Sequence, residues 1–126
     1  MKILPTFFLI TFFLIPIVHA KKHVLLQWGD RYRFCADTSL IENSPSWEAD
    51  QELPLKIKEV ISIILKQYPN TSKEFIHRIT LTQVRDATFK NKWYFNILFT
   101  DTSISTAKTV LVLMDGTIIE GEPIKK

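Results

Sequence analysis

Val110-Leu111-Val112-Leu113-Met114 is an unbroken apolar run that ends at Asp115-Gly116, with Thr117-Ile118-Ile119-Glu120-Gly121 beyond it. Successive side chains of a strand point to opposite faces, so a run with no polar residue is apolar on both faces and requires cover on both. Asp-Gly between two apolar runs suits a two-residue type I′ turn in which both central residues take positive φ. The stretch from Lys108 to Gly121 therefore reads as a β-hairpin whose first strand lies inside a larger assembly. A lone hairpin is barely stable in water, so further strands and a covering helix are required.

The residues upstream supply them. Pro54 to about Gln67 has helical periodicity: Leu53, Ile57, Val60, Ile61, Ile64 and Tyr68 gather on one side, and Lys58, Glu59, Ser62 and Lys66 on the other. Proline fits the first helical position, and Pro69-Asn70 ends the pattern. Phe75 to Arg85 alternates with Phe75, His77, Ile79 and Leu81 on one face; Lys92 to Thr100 alternates with Trp93, Phe95, Ile97 and Phe99 on one face. The expected fold is α+β, one long helix packed on a four-stranded antiparallel sheet, with residues 54–124 as the domain.

A helix can cover only one face of that sheet. The other, carrying Leu111, Leu113, Ile118, Leu98 and Tyr94, needs cover from the N-terminal segment or from another chain. Those five side chains, with Trp47 in the preceding loop, are the candidate partner-binding residues. Cover by the N-terminal segment is the favoured alternative; a protein partner or a homodimer is the other. Residues 21–53 carry no firm pattern. His23 to Trp28 and Arg31 to Cys35 are compatible with short strands turned by Gly29-Asp30, and Asp37 to Glu52 reads as a loop centred on Asn43-Ser44-Pro45-Ser46.

Residues 1–20 read as an export signal. Lys2 gives a short basic start, Ile3 to Val18 is apolar, and Val18-His19-Ala20 resembles a cleavage site. Pro5 and Pro16 interrupt the run and leave it short of a bilayer span, so no stable membrane insertion is expected after cleavage. The expected location is the periplasm or the exterior. Cys35 is the one cysteine, so no intramolecular disulfide can form.

The charges are nearly balanced, +3 for the whole chain, which argues against a nucleic-acid surface. Lys90, Lys92, Trp93 and Tyr94 mix bases with aromatics, and a hairpin end accounts for them better. No HExxH, GxSxG, CxxC or phosphate-binding glycine loop occurs, so no catalytic residue, cofactor or metal is assigned and no enzyme is expected. A zinc site would need His23, His77 and Cys35 to converge, and a thiol enzyme would need Cys35 beside His77. Glu48, Asp50 and Glu52 lack the glycine and distal glutamate of a calcium loop and suit the approach to a helix N-terminus.

The helix, then Lys92-Trp93-Tyr94-Phe95-Asn96-Ile97-Leu98-Phe99, then Val110 to Glu120 with its Asp115-Gly116-Thr117-Ile118-Ile119-Glu120 segment, resembles the PepSY-like domains of exported bacterial proteins, which are related in shape to cystatin-like folds. The likeness spans about Pro54 to Glu120 and rests on structural motifs. It implies a non-catalytic module of the cell envelope, associated in some relatives with binding or restraining peptidases. The expectation is thus a small exported protein-binding module, with a self-associating envelope component and a small thiol enzyme as alternatives.

Overall fold

A computed structural model describes residues 21–125; the expected export signal at 1–20 lies outside the described residues. Strands β1 (Lys22–Trp28) and β2 (Tyr32–Asp37) are followed by a short helix α1 (Thr38–Asn43) and the main helix α2 (Ile57–Gln67). A single 3-10 turn (Lys73–Phe75) leads into β3 (Ile76–Gln83), β4 (Trp93–Asp101), β5 (Thr106–Leu113) and β6 (Ile118–Pro123). The strands form one antiparallel sheet in the order β1-β2-β6-β5-β4-β3. Among the described residues the sheet has six strands, not four, and curls into a half-barrel with one substantial helix. The expectation of a long helix on a four-stranded sheet is therefore corrected. In a four-stranded meander β6 would expose a row of unpaired amides; here β2 pairs with it, Tyr32 to Pro123, Arg33 to Glu122 and Phe34 to Gly121.

The curl separates two cores. Outside, Val60 and Ile64 of α2 and Tyr68 just beyond its end, with Leu55, pack on Phe95, Ile97 and Phe99 of β4 and Val110, Val112 and Met114. Inside, Leu111 and Leu113 of β5 meet Phe34 and Ala36 of β2, Ile41 of α1, Tyr94, Ile119, Val84 and Phe89. The Tyr94 hydroxyl donates to the Leu25 carbonyl at 3.2 Å, joining β4 to β1 across the hollow. The N-terminal segment thus covers the second face of β5. Ile41 is fully buried, so the stretch from Asp37 contributes a helical turn to this core rather than a simple loop.

The turn between β5 and β6 differs from the sequence expectation, with a consequence for every residue after it. Gly116 alone takes positive φ, +92°, and its N–H donates to the Leu113 carbonyl at 2.9 Å, while the Leu113 N–H donates to Thr117 O. The loop is Met114-Asp115-Gly116, three residues with a left-handed glycine last, and Asp115 Oδ1 accepts from the Thr117 N–H. Val112 consequently pairs with Ile118, and Leu111 with Ile119. A one-residue change of register exchanges the faces of a strand. Ile118 lies on the helix side, and Ile119 takes the inner place expected for Ile118.

Two other phases shift. The main helix begins three residues after Pro54, because the chain bends at Pro54-Leu55 to bury Leu55. Glu59 then accepts from the Lys56 N–H at 3.2 Å and starts the helix there. Ile57, expected on the buried face, is 48 % exposed. In β3, a bulge between Ile76 and Arg78 lets Ile76 join Ile79 and Leu81 against the outer core. His77 is left exposed, its Nε2 2.7 Å from Thr100 Oγ1, and Phe75 lies outside the strand.

Replacing Phe34, on the N-terminal hairpin, with Ala is expected to cost about 3–5 kcal/mol in urea unfolding, as much as Phe95→Ala on the helix side. A loss under about 1 kcal/mol would show that the hairpin is not integral to the fold. Gly116→Ala should cost about 1–2 kcal/mol in the same measurement, since it forces a side chain into positive φ. The new Cβ would also lie 3.2 Å from Ile63 Cδ1.

Candidate functional site

The half-barrel is filled at one end and open at the other. Toward the filled end, Leu113, Tyr94 and Ala36 point inward with Phe89 and Val84 from the β3–β4 connection. His23 stacks edge-on against Phe89, with ring centroids 5.0 Å apart, and lies 3.8 Å from Asp86, so β1 meets that connection. Toward the open end the strands carry Thr109 and Ala107 on β5, and Gly121 on β6. A cleft of about 290 Å³ remains there, lined by these three with Trp28, Tyr32, Phe34 and Ile104 and by the polar Thr106, Lys108 and Glu120.

Local turns place its rim. Gly29 takes φ +55° after Trp28, the Arg31 N–H donates to the Trp28 carbonyl, and Trp28 pairs with Tyr32 across the turn. Ile104 sits in the β4–β5 turn, where Asp101 Oδ1 accepts from the Ser103 N–H at 3.0 Å and its hydroxyl at 2.6 Å. These bonds to the charged form hold the Asp101 carboxyl below its ordinary pKa. Trp28, Tyr32 and Ile104 are 49, 47 and 55 % exposed, so three of the large apolar side chains left in solvent share one opening.

Beside the cleft, on the helix side, the Tyr68 hydroxyl donates to Glu120 Oε1, and Lys108 Nζ stands 3.7 Å from the same carboxylate and 5.0 Å from the Tyr68 ring centre. Burial first, and then the bond to Glu120, push the Tyr68 phenol well above its ordinary pKa.

The residues proposed from sequence for a partner surface lie elsewhere. Tyr94, Leu111 and Leu113 are buried in the inner core beneath β1, β2 and α1, and Ile118 packs on the helix side. Leu98, paired with Thr109, is half-buried. Trp47 packs edge-on against Trp93 at 5.1 Å, donates from Nε1 to Gln51 O, and its carbonyl accepts from Trp93 Nε1, so it pins the loop to the domain. Lys92 caps α1 by donating to the carbonyls of Glu42 and Ser44. Cys35 on β2 and His77 on β3 are separated in the sheet by β6, β5 and β4 and make no contact with each other. Among the described residues no group of His, Cys, Asp or Glu could hold a metal ion, and no helix is long and apolar enough to cross a membrane.

Sequence reasoning passed over Trp28, Tyr32, Ile104 and Thr109. The available signals were Gly121 inside a strand, which marks a close approach, and the aromatics on either side of Gly29-Asp30. No family model, curated protein or solved structure matches this chain.

The raised Tyr68 pKa gives a sign-definite expectation. The folded phenol holds its proton above pH 10, where the unfolded one releases it, so the stability it contributes is complete below about pH 10 and declines as pH rises further. Urea unfolding of the protein and of Tyr68→Phe should show their stability difference narrowing above that pH.

Proposed function

We propose that this protein is a small exported, non-catalytic binding module of the bacterial envelope whose partner is a protein. The observation that carries the reading is the grouping of Trp28, Tyr32 and Ile104, all about half exposed, around one cleft. Large apolar side chains kept in solvent cost solubility, and a ring of them at a concave site is the usual form of a protein contact with aromatic anchors. The export-signal pattern of residues 1–20 supports the location. The resemblance of residues 54–120 to PepSY-like domains supports a peptidase as the partner class, restrained rather than cleaved.

A second reading is self-association. Among the described residues β1 and β3 are the outer strands of an open sheet, and Val24 on β1 is 42 % exposed, so a second copy could extend the sheet there. Sedimentation over a wide concentration range separates the two: a monomer throughout disposes of this second reading.

The main test is capture of envelope proteins by the protein purified from cells expressing the full chain, compared with Trp28→Ser/Ile104→Ser. Both substitutions are at exposed positions, so folding should persist by circular dichroism. Loss of at least about 1–3 kcal/mol of affinity, roughly ten-fold or more, is expected for any specifically retained protein. Equal retention by both forms would sink the assignment of this surface.

A further inference from the structure

At the open end of the half-barrel β5 and β6 part. Their pairing covers only Val110 with Glu120, Leu111 with Ile119 and Val112 with Ile118. Beyond those rungs β5 stays beside β4, from Thr109 with Leu98 to Thr106 with Asp101, while β6 stays beside β2, from Gly121 with Phe34 to Pro123 with Tyr32. The cleft is the gap between them: residues 106–109 line it from β5, and Glu120 and Gly121 from β6.

The direction of the backbone groups in the gap follows from the paired part. Leu113 N–H donates to Thr117 O, on the β6 side of β5. Alternate residues of a strand turn their N–H and C=O the same way, so Ala107 aims both at the gap, whereas Lys108, paired with Phe99, aims its own at β4. The register that pairs Val110 with Glu120 would put Pro123 opposite Ala107, and proline has no N–H to give. A rung there cannot form both of its bonds. Ala107 is exposed and has no β6 partner among the described residues, so the cleft holds an unused strand edge inside the sheet.

The walls are divided as those of a strand site are. Tyr32 and Phe34 lie two residues apart on β2 and Trp28 pairs with Tyr32, so all three turn to the inner face, the face of Ala107. On the helix face stand Lys108 and Glu120, paired with each other at 3.7 Å. One side is apolar and the other charged, with bare backbone between.

We propose that the partner protein supplies a short extended segment that adds to β5 at Ala107, antiparallel to it, in the gap left by β6. Main-chain bonds to Ala107 give the attachment. The residue opposite Ala107 turns an apolar side chain toward Trp28, Tyr32 and Phe34, and its neighbours turn polar side chains toward Lys108 and Glu120. Residues 106–109 span about 10 Å, so three or four residues of the partner are engaged. The inference rests on the protein-binding reading above and deepens it.

The test is amide hydrogen exchange followed by NMR on the purified protein, alone and with the peptide acetyl-Ser-Val-Ser-Val-Ser-amide. Alone, the Ala107 amide should exchange at least about ten-fold faster than that of Lys108, and saturating peptide should slow it. The same peptide N-methylated at both valines loses the facing donors and should bind about ten-fold more weakly or worse. Ala107→Pro removes the bond from the protein's side. Because that amide bonds to neither β4 nor β6, the variant should keep its circular dichroism while losing the peptide and any envelope protein whose capture depends on Trp28 and Ile104; should it fail to fold, the two peptides decide alone. An Ala107 amide already slow in the free protein, no slowing by the peptide, or equal binding of the methylated peptide overturns strand addition. Slowing that appears without peptide as protein concentration rises assigns the edge to a second copy and overturns a partner strand. Capture that survives Ala107→Pro but is lost in Trp28→Ser/Ile104→Ser removes the strand and leaves the wider reading intact; capture insensitive to either change removes both.

Discussion

Burial of β5 on both faces is the constraint on which the rest of the molecule depends. Val110, Val112 and Met114 lie under the main helix, Leu111 and Leu113 lie inside the curl, and all five are 2 % exposed or less. At about 1.5–3 kcal/mol for each fully buried aliphatic side chain, the end of this strand and the Met114 that follows it contribute roughly 7–15 kcal/mol before chain entropy is subtracted. Neither cover alone would secure it. The helix needs the sheet because an eleven-residue, isoleucine-rich helix is marginal in isolation, and the N-terminal hairpin needs the inner face of β5 because two strands alone are not stable.

The means by which the second face is covered shapes the molecule. β1 and β2 join the edge of β6 and fold over β5 and β4, rather than docking as a separate layer. That choice protects β6 and makes β1 and β3 the outer strands among the described residues. Both carry bulges, between Val24 and Leu26 and between Ile76 and Arg78, which break the regular row of donors and acceptors that edge pairing requires.

The same curl explains why the candidate site lies at one end. Inward side chains are large near Leu113, Tyr94 and Phe89, and small near Ala107, Thr109 and Gly121, so the half-barrel is packed solid at one end and hollow at the other. Of the residues that sequence reasoning offered as a partner surface, should the N-terminal segment not cover them, Tyr94, Leu111 and Leu113 belong to the packed end, while the exposed apolar side chains come from two turns at the hollow end. A surface built from Trp28 and Tyr32 on one turn and Ile104 on another, far away in sequence, is visible only once the turns are brought together.

The sequence by itself determined the elements whose signal is local: the two-faced strand at Val110 to Met114, the alternation of Trp93, Phe95, Ile97 and Phe99, the turn at Asp115-Gly116, and a helix with Val60 and Ile64 on its buried side. Periodicity over a few residues is enough for those, because it reflects which side chains leave water together. Tertiary structure decided the register of the last hairpin, the exchange of Ile118 and Ile119 between faces, the recruitment of Lys22 to Asp37 into the sheet and the cleft that results. Asp-Gly is compatible with loops of either two or three residues. The three-residue form lets Met114 reach the outer core, a contact with Leu55, Val60 and Ile64 that no window of neighbouring residues contains.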